Sequence, residues 1–189
     1  MDTSQSKTVQ PFKIIDNIYK NNSRAKEILL SHSISVADKA VEIASNIDNR
    51  DVDIVFVKEA ALLHDVGIIN TDAPMLYCFG NKKYIEHGIE GRKILQSLGL
   101  LRHALVCERH IGVGLFIEDI IQNNMPLPKR NMVPISIEEK IVCLADKFFS
   151  KSGSGKEFTY KEIEAKILSY GDTHLLRLNN LALELNLIF

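Results

Sequence analysis

Residues 60–68 read Ala60-Ala61-Leu62-Leu63-His64-Asp65-Val66-Gly67-Ile68, an apolar helical run that closes on a histidine and an aspartate side by side. A carboxylate buried without a partner is strongly destabilising, so Asp65 calls for a cation or strong donors around it. This constrains the fold more than any other stretch: helices elsewhere must bring complementary groups to this point.

With 189 residues, 46% of them apolar and 25% charged, the chain has the length and composition of one soluble domain with a well-buried core. A formal net charge of −1 gives no electrostatic reason to expect nucleic acid or an anionic membrane as partner. Cys78, Cys107 and Cys143 are odd in number, form no C-x-x-C pair and sit among apolar neighbours. They read as buried free thiols of a reducing compartment. No apolar run approaches the roughly 20 residues that span a bilayer. Residues 1–10 are polar without a signal-peptide pattern, so the expectation is a disordered lead-in to a cytoplasmic protein.

The rest of the chain is dominated by helical spacing. Pro11 opens a short helix with Phe12, Ile15, Ile18 and Tyr19 on its inner side. Asn22 caps a long one reaching about Ile47, whose apolar stripe (Leu29, Val36, Ala40, Ile43, Ala44) includes His32. Alone, such a histidine reads as a hydrogen-bonded core residue. After an Asn49-Arg50-Asp51 turn, Asp53 caps the helix leading to His64-Asp65, and Gly67 fits the left-handed position just past its end. Residues 68–82 form a long loop of the kind that serves as a lid or binding loop.

A helix from about Lys83 to Leu98 carries His87, with Gly88 and Gly91 implying close backbone packing around it. Leu100 to Arg109 is another helix, with His110 at its end before Gly112 and Gly114, free to point into a cleft; His103 falls on the exposed-looking side, and His174 near a later helix start. Short helix 115–123 and a proline-rich loop 124–134 follow. Ser136-Ile137-Glu138-Glu139 is a capping box opening an apolar helix in which Asp146 repeats the pattern of Asp65. KSGSGK (151–156) is a flexible linker without the strand and spacing of a phosphate-binding loop, and the G-x-G of 112–114 is too short for a dinucleotide loop. Two closing helices, 160–170 and 172–187, end in a leucine-rich packing cap or homodimer face.

Four imidazoles (His32, His64, His87, His110) and two carboxylates (Asp65, Asp146) on helices able to pack around one axis suffice for two metal ions. Imidazole with carboxylate suits Zn, Fe, Mn, Ni or Co, and Asp65 between two cations could bridge them. Such a centre acidifies water and clamps a phosphoryl oxygen. Arg109 and Lys147, beside His110 and Asp146, are candidates for neutralising a phosphate.

The stretch LLHDVGI, with an upstream His and a distant Asp in LADKF, resembles the HD-domain superfamily of metal-dependent phosphohydrolases, in the subgroup whose motif reads His-Asp-Ile-Gly. His32, His64, Asp65 and Asp146 match its core pattern, and His87 and His110 match in order the two further histidines of members with a binuclear centre. The resemblance covers roughly residues 25–150 and implies an all-α helical bundle, residues 11–150, with a central metal site, the helices of 151–189 packing on it. Ile68 stands where cyclic-dinucleotide phosphodiesterases carry a Lys, and no Gly-Tyr-Pro follows His110, which argues against that branch.

The expected function is a metal-dependent phosphohydrolase, holding one or two divalent transition-metal ions and acting on a nucleotide or other small phosphoester. Metal-activated water attacks phosphorus while Asp65 bridges or orients. Two readings from other classes share the same ligands: a di-iron oxygenase on this fold, and a non-catalytic metal-binding regulatory module.

Overall fold

A computed structural model describes residues 9–47, 51–151 and 155–187. Residues 1–8 of the lead-in expected over 1–10, most of the turn at 49–51 and the middle of the 151–156 linker lie outside the described residues.

Capping and apolar spacing set the helices. Asn22 opens α2 (Ser23–Asn46), its side chain accepting from the amide of Ala25, after the short α1 (Pro11–Ile18). Asp53 does the same for α3 (Ile54–Leu63), 3.0 Å from the amide of Phe56. Each such cap satisfies an amide that the helix itself leaves free, a contribution of about 1 kcal/mol. Next come α4 (His87–Ser97), α5 (Leu101–Arg109) and α6 (Ile117–Gln122). Ser136 caps α7 (Ile137–Lys147), but only half of the expected box forms, because Glu139 turns its carboxylate to Arg109 and the amide of Ile135. Thr159 and Glu162 make the complete reciprocal box at α8 (Tyr160–Leu168), and α9 (Asp172–Glu184) follows Gly171 at φ +121°.

These are nine α-helices among the described residues; besides them come three short 3-10 turns, one of them Tyr84–Glu86 leading into α4, and a two-stranded antiparallel hairpin, β1 (Asp72–Ala73) with β2 (Cys78–Phe79). The long loop after Asp65 is thus largely ordered: two 3-10 turns, Val66–Asn70 and Pro74–Leu76, flank β1. No helix of the described residues is long and apolar enough to cross a membrane.

The largest core cluster joins α2, α3 and α7 to the closing helices, with Ile163, Ile167, Leu178 and Leu181 packed among Val57, Ala60 and Leu144. A second cluster gathers α1, the start of α2, α4 and α5 around Leu63 and Val66. Ile15 of α1 and Tyr19 just past its end belong to that cluster, whereas Phe12, expected inside, is 50% exposed in the first turn. On α9 Leu178 and Leu181 are buried, as is Leu185 just past its end, while Leu176 and Leu183 face outward.

The glycines around Asp65 matter for close approach. Gly67 lies in a 3-10 turn and is not left-handed, contrary to its expected role as a helix terminator. A Cβ on it would fall 2.1 Å from both the amide nitrogen of Gly91 and the carbonyl oxygen of His87. A Cβ on Gly88 would come 2.6 Å from the carbonyl of Cys107. Helix α4 therefore crosses the turn after Asp65 and the end of α5 at backbone contact, which carries His87 and His110 to His64 and Asp65.

Candidate metal centre

The six ligand candidates come from five places in the fold, His64 and Asp65 sharing one. His32 projects from the middle of α2, His64 closes α3 and Asp65 follows it; His87 begins α4, His110 follows α5, and Asp146 sits in the last turn of α7. All six are buried.

The two oxygens of Asp65 divide the site. Oδ2 lies 3.5 Å from His32 Nε2 and 3.3 Å from His64 Nε2. Asp146 Oδ1 completes that half, 3.0 Å from His32 Nε2 and 3.4 Å from His64 Nε2. Oδ1 of Asp65 faces His87 Nε2 at 3.4 Å and His110 Nε2 at 3.3 Å. The result is two ligand groups, His32-His64-Asp65-Asp146 and Asp65-His87-His110, each with its ligand atoms within 4.8 Å of one another and sharing Asp65.

The other ring nitrogens explain why these faces suit a cation. Nδ1 of His64 bonds the carbonyl of Ala61 (2.6 Å), that of His87 the carbonyl of Tyr84 (2.7 Å), and that of His110 the carbonyl of Cys107 (2.8 Å). A carbonyl only accepts, so Nδ1 carries the hydrogen and Nε2 presents its lone pair inward. His87 and His110 then point two lone pairs at one another across 3.2 Å. Two neutral acceptors at that distance repel unless a cation lies between them and Asp65. Nε2 of His64 and Oδ1 of Asp65 have no hydrogen-bond partner among the described residues, and Oδ2 of Asp65, which also lacks one of good geometry, has the ammonium of Lys151 2.9 Å away. Such a set of orphaned buried acceptors fits one or two metal ions, with imidazole and carboxylate as donors.

Electrostatics supports this. Burial, above all, pushes the imidazoles of His32, His87 and His110 down, His87 to about 3, so they are neutral and ready as ligands. His64 differs: burial opposes charge on it, but Asp65 and Asp146 outweigh burial and raise its pKa to about 9, so without a cation its Nε2 carries a proton between the two carboxylates, which a metal would displace. Burial would raise the carboxyl pKa of Asp65; His64 and Lys151 reverse this and hold it well below the usual range. Both aspartates are ionised in a dry interior, the condition for metal ligation. All three cysteines are free and buried; burial pushes Cys78 and Cys143 up to about 11, which makes them thiols and not thiolate ligands.

The centre opens on a cavity of about 560 Å³ whose lining includes His87, His110 and Asp146. Lys147 reaches it, its ammonium 2.7 Å from Asp146 Oδ2 and 3.2 Å from the carbonyl of His110. Arg109 is absent from that lining. Its guanidinium is clamped by both oxygens of Glu139 at 2.9 Å, because a neighbour along a helix points about 100° away from His110. His103, expected outside, is buried against Phe56 with its Nε2 3.2 Å from Glu59. His174 lies 3.7 Å from Asp119, away from the centre.

Sequence reasoning missed Lys151. Expected at the start of a linker, it lines the cavity with its ammonium 2.9 Å from Asp65 Oδ2 and 3.7 Å from Asp146 Oδ1. A cation shortly after a buried Asp at a helix end is the signal that was available, but nothing in the sequence says that the chain turns back there.

A helical bundle whose buried centre is built from four histidines and two aspartates defines a metal-site protein of all-helical type. The model of the family described as HD domain matches residues 29–150, and the chain belongs to that family. It is 38% identical over 123 residues to an uncharacterized protein of Methanocaldococcus jannaschii, covering 64% of this chain and 65% of that one. It is also 34% identical over 137 residues to a tRNA (cytidine(56)-2'-O)-methyltransferase of Thermoplasma volcanium, covering 72% of this chain and 35% of the relative. The enzyme of that name from Picrophilus torridus is 32% identical over 130 residues, 68% of this chain and 33% of its own length. The chain thus spans about a third of the methyltransferases it matches. No solved structure matches it.

Proposed function

We propose that the chain is a metal-dependent phosphohydrolase that cleaves a nucleotide or another small phosphoester. One observation carries this reading: two ligand groups share Asp65, and three of their members, His87, His110 and Asp146, line a cavity that Lys147 and Lys151 also line. His32, His64, Asp146 and Oδ2 of Asp65 would hold one ion, and His87, His110 and Oδ1 of Asp65 a second. Metal at this place supplies an acidified water and polarisation of a phosphoryl oxygen.

The chain's own residues do the rest. Asp65 links the two halves and fixes their separation. The carbonyls of Ala61, Tyr84 and Cys107 lock the ring orientation of His64, His87 and His110. Lys147 and Lys151 neutralise the phosphate, each already beside a carboxylate of the centre. Arg109, held by Glu139, has no part in it.

The names of two relatives favour a second reading, in which the phosphoester belongs to a tRNA. The net charge of −1 favours the small substrate.

The test is elemental analysis of the purified protein with a phosphate-release panel of nucleotides, sugar phosphates and tRNA. One or two metals per chain and release from a small phosphoester are expected. Release from tRNA alone would select the second reading. Iron as the bound metal with oxygen consumption and no phosphate release would replace hydrolysis by oxygenase chemistry, and metal without turnover of any kind would leave a binding module.

A further inference from the structure

The family match ends at residue 150, yet the cavity does not. One of its walls is α8, which contributes Ile163, Lys166, Ile167 and, just past its end, Tyr170. Phe149 lies on the same lining, and Asp72 and Met75 from the hairpin region also contribute to it. The metal ligands at the floor are buried, His110 to 1%, whereas Tyr170 is 63% exposed, so this wall rises from the centre to the mouth. A phosphate alone would use only the floor. The remaining space is flanked by aromatic rings and aliphatic chains, with a carboxylate (Asp72) and an ammonium (Lys166) among them. Around 560 Å³ lies within the roughly 300–1,000 Å³ of small-molecule sites, apolar surfaces with a few polar groups that fix orientation.

We propose that this outer part of the cavity is a subsite for the nucleobase of a nucleoside 5′-phosphate, and that α8, outside the family module, is its specificity wall. The inference rests on the same cavity as the proposed hydrolase and names the leaving group that this chain selects. A base would lie against Phe149 and Tyr170 over Ile163 and Ile167, while Asp72 accepts from and Lys166 donates to its polar edge. An aryl group without polar atoms would leave those two charges unanswered, and an alkyl group would forgo the ring contacts.

The test is ligand-observed NMR binding on the metal-loaded protein, which needs no turnover. Dissociation constants are compared for the non-hydrolysable 5′-phosphonate analogues of a nucleoside 5′-monophosphate and of ribose 5-phosphate, the same molecule without its base. Stacking on side chains of this kind is worth roughly 10- to 100-fold in affinity, so the base is expected to tighten wild-type binding by that factor. Tyr170→Ala and Phe149→Leu are expected to shrink the ratio to about 3-fold or less. Leu176→Ala, exposed on α9 and outside the cavity, keeps it. Tyr170 is mostly exposed, so its truncation leaves the fold intact. Equal affinity of wild type for the two ligands, or a ratio untouched by both variants, overturns the inference even if phosphoesters are hydrolysed. A base-dependent ratio without hydrolysis of any phosphoester keeps the subsite and removes the hydrolase.

Discussion

The ammonium of Lys151 lies 2.9 Å from Oδ2 of Asp65, the carboxylate oxygen that also faces His32 and His64. A cation therefore stands beside the metal ligands on the cavity side, where an incoming phosphate needs one. Lys151→Met keeps the stem and removes the charge. It should lower kcat/KM by roughly 10- to 100-fold, the scale of one charge-assisted contact, and leave metal content at or above wild type, because a competitor for Asp65 has gone. Steady-state kinetics with elemental analysis checks this; loss of metal along with activity would make the residue structural instead.

Asp65 is the one ligand common to both halves of the centre. Asp65→Asn preserves its volume but removes the second anionic oxygen. Bound metal should fall to at most one ion per chain, with turnover lower by about 10³-fold or more. In the wild type, metal at 100 times its dissociation constant should add about 2.7 kcal/mol, a rise of roughly 5–10 °C in Tm. That rise should shrink in the variant, and an unchanged metal ratio would refute the bridging role.

Gly67→Ala tests the close crossing of α4 over the turn after Asp65. The new methyl would sit 2.1 Å from backbone atoms of Gly91 and His87, which cannot yield as a flexible side chain would. A loss on the order of 3 kcal/mol is expected, ~10 °C in Tm, with weakened metal binding because His87 must move. Wild-type stability in a thermal melt would show that the backbones are not in contact.

His103 supplies a pH dependence remote from the centre. Burial, then the neighbouring Arg102, push its imidazole pKa from 6.5 down to about 4. Between these values the unfolded chain binds a proton that the folded one refuses, so stability falls as the pH drops from 6.5 toward 4. His103→Gln should flatten that part of the Tm–pH curve relative to wild type. An identical slope in both proteins would place the acid sensitivity elsewhere.

Much of the fold was open to reading because helices announce themselves locally. Asn22, Asp53 and Ser136 are short polar side chains at helix starts, and the apolar stripe of α2 shows which face is buried. The six residues that the structure gathers into two buried groups were legible as candidates for a related reason. A charged or titratable residue inside an apolar stripe, as at Asp65 and Asp146, conflicts with its surroundings unless it has a partner, and the conflict shows in one dimension.

What depended on three dimensions was missed or misread. Gly67 looked like a helix terminator because the backbone it touches belongs to α4, distant in sequence. Arg109 was a phosphate candidate because it neighbours His110; the structure pairs its guanidinium with Glu139 of α7, away from the cavity lining. His103 looked exposed because its cover comes from Phe56 of α3.

The sequence by itself determined the helices, the metal-binding character of the centre and the family, since capping, periodicity and misplaced charges are properties of short stretches. Only the tertiary structure decided how the ligands divide into two groups about Asp65, that Lys151 rather than Arg109 reaches them, and that α8 walls the cavity. Those are distances between segments far apart in the chain, set by how closely the backbones of α4, α5 and the turn at Gly67 can pack.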